Sequence, residues 1–545
     1  KPAHALKKPR FYPGKSRYIS RTTLFFFRKT RNHPQITPLF HPPPMSPSFP
    51  PVPCFPPRRF AKTNRRKNFL FRPPATPKRR RGKDPRTGEA NRRTYFASLA
   101  LLLSRHLLLS LHSYIERLVC PLLELSDYEM KIKQIEIENF RCYRNVELRF
   151  ADRVTILIGK NGSGKTSFLK SIKNVLSVFF SNNPSWGCGT IVGNVSDLLV
   201  SNLNSGEVWH DENMKPADFV DIKAFAFKTD NEGNAVEEIP SWSFRKFSTA
   251  NAKVQSSYYK DAYVYFRTRY TDDAPWPLFA YYSDSYPHID ANLGKKVSGI
   301  IDNDEKLYRA WGYYHWDKDS SCTLIWQKRF MRIAKLRDNM RNMLERVSDK
   351  KTAEAESYQR NLDRYEAEME FVLKYLRKFT SDATENLSDR SNALQVGNVI
   401  VDGIDNPYLV AYFADGSRRK WSELPAGYER LFNIVFDIAY RSYILNGCDC
   451  EPKGVVIIDE IDLHLHPSME QDVLLRLVST FEQVQFIVST HSPLVIGNTA
   501  LGEHGRIILM QEEQGRYEQM TMSNDVFGID YDYILSAVMQ TEPRN

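Results

Sequence analysis

Nine consecutive residues, Gly159-Lys160-Asn161-Gly162-Ser163-Gly164-Lys165-Thr166-Ser167, have the types and spacing of a loop that holds phosphates. Glycines let backbone N–H groups turn toward phosphate oxygens, and a helix starting directly after the loop adds its positive N-terminus. Lys165 is long enough to reach the β- and γ-phosphates of a nucleotide, and the Thr166 hydroxyl is placed to hold Mg²⁺. The pattern G-x-x-x-x-G-K-[ST] makes Gly159, Asn161, Gly162, Ser163, Gly164, Lys165, Thr166 and Ser167 the candidate nucleotide contacts. Far downstream, Asp459-Glu460 adds two adjacent carboxyl groups. Asp459 can hold Mg²⁺ through water, and Glu460 can orient or deprotonate an attacking water. His491 in Ser489-Thr490-His491-Ser492-Pro493 is a third candidate, as a sensor of the γ-phosphate.

These groups can act together only if chain elements deliver them to one place. Val154-Thr155-Ile156-Leu157-Ile158 precedes the loop as a nearly continuous apolar run, the mark of a strand buried on both faces. Phe168, Leu169, Ile172, Val175, Leu176 and Phe179 after it form one face of a helix. Val455-Val456-Ile457-Ile458 leads into Asp459, and Gln485-Phe486-Ile487-Val488 leads toward His491, as two further buried strands. In a parallel sheet the C-terminal strand ends converge on the ligand, which brings the three segments together. From Met130, Ile132, Ile135, Ile137 and Phe140, then Val146, Leu148 and Phe150, predict two antiparallel strands joined by a turn at 141–145.

The run Asp459-Glu460-Ile461-Asp462-Leu463-His464-Leu465-His466-Pro467 resembles the Walker B motif and D-loop of the SMC/RecF/OLD-type branch of ABC ATPases. Ser489-Thr490-His491-Ser492-Pro493 resembles their His switch, and Asn139-Phe140-Arg141 their N-terminal strand. In detail the chain is most similar to bacterial "AAA family" ATP-binding proteins of phage-defence and virulence-associated loci, Septu-like ATPase subunits among them. The resemblance covers 130–178 and about 405–535. It implies an α/β, ABC-type P-loop NTPase core with an inserted helical arm, binding ATP and Mg²⁺, and it adds Arg141 to the candidate contacts. It also implies hydrolysis of ATP between two copies, in a homodimer or higher oligomer.

The family's signature, roughly L-S-x-G-[EQ]-x-[QR], departs here to Leu424-Pro425-Ala426-Gly427-Tyr428-Glu429-Arg430. Gly427 and Arg430 match, while Pro425 stands where relatives have the serine that touches the opposite subunit's γ-phosphate. The Gly427 backbone N–H and the helix N-terminus are the groups left to close over that phosphate. Leu431, Ile434, Val435 and Ile438 continue as an amphipathic helix. Two strands, at 221–227 and 277–282, flank the region expected to hold the Q-loop, in which no glutamine stands out. His464 and His466 fit a D-loop turn better than a metal site, and Cys448 and Cys450 read as free thiols.

Composition confines the remaining classes. Of 76 Lys/Arg and 64 Asp/Glu in 545 residues, 27 and 6 fall in 1–129, leaving 49 and 58 for the rest. The net +12 therefore does not argue for a DNA-binding core. Residues 1–129 also hold 19 of the 31 prolines. Three readings stand for this segment: a basic arm for nucleic acid, a solvated disordered extension, or upstream sequence that no native protein contains. The third is preferred, with the native domain opening at Met130. No run of eighteen apolar residues occurs, so a membrane span and membrane partner are not expected, and the seven cysteines suit a reducing, cytoplasmic setting.

The expected organisation is thus 1–129 as a Pro-rich basic segment, 130–178 as the first part of the core, 179–404 as an insertion, and 405–545 as the second part. Within the insertion, Trp326, Phe330, Ile333, Leu336, Met340 and Met343, and then Tyr358, Leu362, Tyr365, Met369, Val372 and Leu376, predict a helical pair over about 323–385. After His491 a strand at 506–510 and a short helix at 531–539 are expected. Only 54 residues follow His491, so a nuclease is expected as a separate partner rather than as a further domain. DNA is a second candidate partner. The functional expectation is an ATPase that couples nucleotide state to an effector in phage defence. A DNA repair or recombination ATPase and a non-hydrolysing nucleotide switch are its rivals.

Overall fold

The computed structural model describes residues 129–180, 205–229, 235–249, 253–271, 273–283, 295–303, 307–317, 322–381, 395–403, 405–498, 502–513 and 516–522, with isolated positions at 528, 533, 534 and 536. The N-terminal quarter, parts of the region between the two strands that flank the expected Q-loop, and most of the helix expected at 531–539 lie outside the described residues.

Short apolar runs become the middle of one sheet. Strands β3 (Val154–Ile158), β6 (Leu278–Tyr282), β10 (Lys453–Ile458), β11 (Gln483–Ser489) and β12 (Gly505–Glu513) are parallel neighbours in the order β12-β3-β11-β10-β6, with β13 (Arg516–Met522) antiparallel outside β12. Every residue of β3, β6 and β10 is buried, as strands covered on both faces must be. Helix α1 (Lys165–Leu176) covers one face through Phe168, Leu169, Ile172, Val175 and Leu176.

The alternating segments form a second sheet. Strands β1 (Glu129–Phe140), β2 (Tyr143–Arg149), β4 (Phe219–Thr229) and β5 (Ala235–Phe247) are antiparallel in the order β2-β1-β4-β5. β4 buries alternate residues along most of its length, so this sheet packs inward on one face only. Two buried polar contacts join it to the first layer. Trp242 Nε1 on β5 donates to the Val175 carbonyl at 2.8 Å. A bulge between Ile132 and Gln134 opens the β1 ladder, and the Gln485 amide fills the gap, accepting from Ile132 N at 2.8 Å and donating to Ile132 O at 2.9 Å.

The segment 179–404 therefore differs from the single insertion expected. β4 and β5 complete a sheet begun by β1 and β2, and β6 is an edge strand of the parallel sheet beside β10. The reason is topological: strands distant in sequence are needed to cover β1 and β10, and pairing partners cannot be read from a local pattern. The described helices of this segment are α2 (Lys260–Arg269), α3 (Lys295–Asn303), α4 (Cys322–Arg346) and α5 (Ala353–Thr380).

α4 and α5 are the expected helical pair, but only their far halves are solvent-facing. Ile325, Trp326, Phe330 and Ile333 on α4, and Val372, Tyr375 and Leu376 on α5, are wholly buried against the core, mainly on helix α6 (Ala426–Asn446). Beyond Leu336 most α4 residues are half-buried or exposed. At the root, Arg329 makes a bidentate ion pair with Glu368, at 2.8 and 3.0 Å, with the two side chains 2% and 3% exposed. Ahead of α6, strands β7 (Val396–Asp402), β8 (Tyr408–Phe413) and β9 (Arg418–Lys420) make a small antiparallel sheet against the same root. Among the described residues no helix is long and apolar enough to cross a membrane.

A charge buried beside one partner is costly once that partner goes. Glu368→Leu is expected to lower the unfolding free energy by about 3–5 kcal/mol, while Arg329→Met/Glu368→Leu recovers most of the loss. Denaturant titration of the three proteins, read by tryptophan fluorescence, checks this.

Candidate functional site

The C-terminal ends of β3, β10 and β11 lie side by side, with Ile458 opposite Val488 and Ser489 opposite Leu157. The phosphate loop leaves the first, Asp459 and Glu460 leave the second, and Thr490 and His491 leave the third. All three predicted groups thus meet at one edge of the sheet.

The conformation of the loop depends on its glycines and on Lys165. Gly164, which precedes the first residue of α1, has φ +95°, and a Cβ there would stand 2.3 Å from Tyr143 Oη, so both backbone and packing exclude a side chain. Lys165 Nζ donates to the Gly159 carbonyl at 2.8 Å and the Lys160 carbonyl at 3.1 Å, folded back along the rim of the loop. Burial lowers its pKa to about 8, against the opposing pull of Asp459, Glu460 and Asp462. Ser163 Oγ is buried with no hydrogen-bond partner. Asn161 and Gly162 are exposed at the tip, while Thr166 and Ser167 are half-buried at the start of α1. Arg141, whose own φ is +51°, reaches the same helix: its Nη1 donates to Ser167 Oγ at 3.3 Å, and its Nη2 lies 3.6 Å from Glu207.

Asp459 is 1% exposed. Its Oδ1 accepts from Ser489 Oγ at 2.5 Å, and its Oδ2 is buried with no partner. An orphaned carboxyl oxygen suits a cation, and the all-oxygen set of Asp459 and the Thr166 hydroxyl suits Mg²⁺ with waters completing the shell. Glu460 adopts φ +50°, held by Ser489 Oγ on its N–H at 2.8 Å and by Arg430 Nη1 on its carbonyl at 2.8 Å. A non-glycine residue fixed in this region at the end of a strand costs about 1–3 kcal/mol, and here it turns the carboxyl away from the core to a half-buried position. His491 is half-buried, and burial, then nearby Lys165, lower its pKa, so the ring is neutral at pH 7. Asp462 positions it, accepting from Thr490 Oγ1 at 2.6 Å and from the His491 N–H at 3.3 Å.

Gly427, in the first turn of α6, is buried against the loop that follows Asp459 and Glu460, where a Cβ would stand 2.6 Å from the His464 carbonyl. Pro425 and Ala426 are the exposed residues at that end, and the helix has no side-chain cap. His466 caps helix α7 (Pro467–Glu470), its Nδ1 accepting from Ser468 N at 3.3 Å. Among the described residues no group of three or more His, Cys, Asp or Glu could hold a metal, and Cys142, Cys448 and Cys450 are free.

Arg430 was singled out by the signature, but the buried polar set it belongs to was not. Arg430, Asn433, Asp437 and Arg441 are all buried and share one face of α6 at spacings of three and four. Arg430 Nη2 donates to the Asp459 carbonyl at 3.0 Å, so this face touches the site directly. The signal was present: four polar residues at helical spacing inside an otherwise apolar run.

A phosphate loop, a strand-end carboxyl pair and a neutral histidine at one edge of a parallel sheet define a P-loop nucleotide-binding site of the ABC type. A family model described as "AAA ATPase domain" matches residues 130–496, and the chain belongs to that family. It is similar to the "Retron Vc95 probable ATPase" of Vibrio cholerae serotype O1 biovar El Tor, 25% identical over 451 residues, 76% of this chain and 80% of that protein. It is also similar to the "Septu protein PtuA" of Bacillus mycoides (strain KBAB4), 28% identical over 166 residues, 29% of this chain but only 22% of that protein. Among solved structures, an SMC head bound to the C-winged helix domain of ScpA matches 72% of this chain and 98% of its own, at 14% identity and a TM-score of 0.36.

The state of Lys165 makes a pH prediction. Phosphates favour the ammonium form, and the free protein loses that proton near pH 8. Affinity for ATP is therefore expected to be level below pH 8. Above it, affinity falls by up to about tenfold per pH unit, with a proton taken up on binding. Titration calorimetry at pH 7, 8 and 9 in two buffers checks both, and Lys165→Arg, which stays charged, is expected to flatten the profile.

Proposed function

We propose that this protein binds MgATP at residues 159–166 and hydrolyses it between two copies of the chain, passing the change of nucleotide state to a separate effector. The observation that carries the reading is the convergence of Lys165, the unpartnered Asp459 Oδ2, Glu460 and His491 on one sheet edge.

The proposed roles follow from position. The loop amides and Lys165 cradle the phosphates, and Thr166 and Asp459 hold Mg²⁺, which would neutralise charge on the phosphate oxygens. Glu460 takes the proton of the attacking water. Neutral His491, fixed by Asp462, donates to or accepts from the γ-phosphate region and reports its loss. Arg141, beside Ser167, adds positive charge to the same flank. The exposed start of α6 in a second copy closes the site, with backbone amides in place of the serine hydroxyl that Pro425 removes. The retron and Septu names of two relatives are in keeping with the defence role we propose. A separate nuclease as effector and the cytoplasm as setting belong to the same proposal. Pro425 is the observation that favours the second reading, a nucleotide switch with little turnover.

Phosphate release by the full chain tests the proposal. Glu460→Gln is expected to keep ATP binding and lose about 10²–10⁴-fold in turnover, and to accumulate an ATP-bound dimer in light scattering. Lys165→Ala is expected to lose binding. A Glu460→Gln protein as fast as the parent removes the base assignment. A parent that binds ATP and dimerises without turnover establishes the switch.

A further inference from the structure

The buried polar face of α6 connects the carboxylate edge of the site to the root of the helical arm through three hydrogen bonds. Asp459 N donates to the Tyr282 carbonyl at 2.7 Å, at the end of β6. The hydroxyl of the same Tyr282 donates to Asp437 Oδ2 at 2.7 Å. Asp437 Oδ1 then accepts from Trp326 Nε1 on α4 at 2.5 Å. Asp437 is wholly buried and carries a third partner, Arg441 Nε at 2.6 Å. Seven residues earlier on the same face, Arg430 holds the Asp459 and Glu460 carbonyls. The peptide units that set the position of the Asp459 carboxyl are therefore gripped on both sides by residues keyed to α6. One of those grips is shared with the arm.

An apolar residue at 437 would fill this core at lower cost, because taking a carboxyl out of water is expensive unless every bond is made. The bonds made here do not merely satisfy Asp437. They join two elements, β6 and α4, that otherwise meet α6 independently. Gln327, next to Trp326, repeats the link one turn away, donating to Asn433 Oδ1 at 3.2 Å, which also accepts from Trp421 Nε1 at 2.7 Å.

We propose that Tyr282, Asp437 and Trp326 are positioning residues that couple the arm to the hydrolytic site, so that displacing the arm moves the Asp459–Glu460 turn and loading the site shifts the arm root. The inference rests on the reading of residues 159–166 and 459–460 as an ATP site. None of the three touches nucleotide; they act through the backbone of Asp459. A partner engaging the exposed half of α4 and α5 would thereby set the rate of hydrolysis without reaching the site.

The test is a double-mutant cycle in the full chain with Tyr282→Phe, Trp326→Phe and the pair. Tyr282→Phe removes one donor and keeps the ring, while Trp326→Phe removes one donor and leaves a smaller aromatic ring in its place. Each single variant is expected to bind ATP within about twofold of the parent and to lose about 5–20-fold in kcat, with the double variant no slower than the slower single. Hydrogen exchange at residues 322–336 is expected to change when MgATP binds the parent, and not in either variant. Additive losses, unchanged kcat in both singles, or an arm root in the parent that ignores ATP would each overturn the proposal. If the parent binds ATP without turnover, hydrolysis fails as a function and the coupling is judged by exchange alone. If Trp326→Phe does not fold, Gln327→Leu at the half-buried neighbouring link replaces it under the same criteria.

Discussion

A carboxyl group almost entirely withdrawn from water, at the end of the strand β10, is the constraint on which the structure turns. Asp459 stands at the tip of a strand buried on both faces, among elements that are mostly apolar. The chain meets this by surrounding β10 on both sides with parallel strands and by supplying polar atoms at their tips and from the buried face of α6. Ser489 Oγ takes one carboxyl oxygen and also fixes the Glu460 amide. The Tyr282 carbonyl takes the Asp459 amide, and Arg430 takes its carbonyl. The remaining oxygen is buried without a hydrogen-bond partner. A sheet of any other topology would not bring β3, β6, β10 and β11 to a common edge, which is why strands so distant in sequence have to be neighbours.

Much of this was legible beforehand, and what was not has a physical reason. The five-residue run at 154–158, the run at 455–458 and the one at 485–488 are unambiguous because a strand buried on both faces must be apolar throughout. The loop at 159–166 is equally plain because its chemistry depends on fixed spacing. The partners of β1 were not legible: β4 and β5 alternate like any half-buried strand, and nothing local says what they pair with. Gly427 was legible as a glycine that matters for closing over a phosphate, but its packing role was not. Its missing side chain makes room for the His464 carbonyl of its own chain. The polar face of α6 was overlooked because Leu431, Ile434, Val435 and Ile438 already account for an amphipathic helix. In a helix buried on all sides the polar residues, rather than the apolar ones, carry the information.

The arm divides in the same way. Its periodicity predicted two helices, and they form, but periodicity cannot tell a stripe that pairs two helices from one that seats both on a core. Trp326 stacks on Tyr440 with ring centroids 5.5 Å apart, and Phe330 packs on Phe436, so the first half of α4 belongs to the core. The exposed half carries mixed charge and surface ion pairs such as Arg341 with Glu366, which contribute little to stability and keep the helices soluble.

The close approach of Gly427 to His464 bears on assembly. Two loops that are far apart in sequence, the one before α6 and the one after β10, are locked together in the free chain. Whatever meets this surface encounters a single preformed patch rather than two segments that must first be ordered. The conformational entropy that usually opposes association has at this patch already been given up during folding, so even a small contact area leaves more of its interaction energy as affinity.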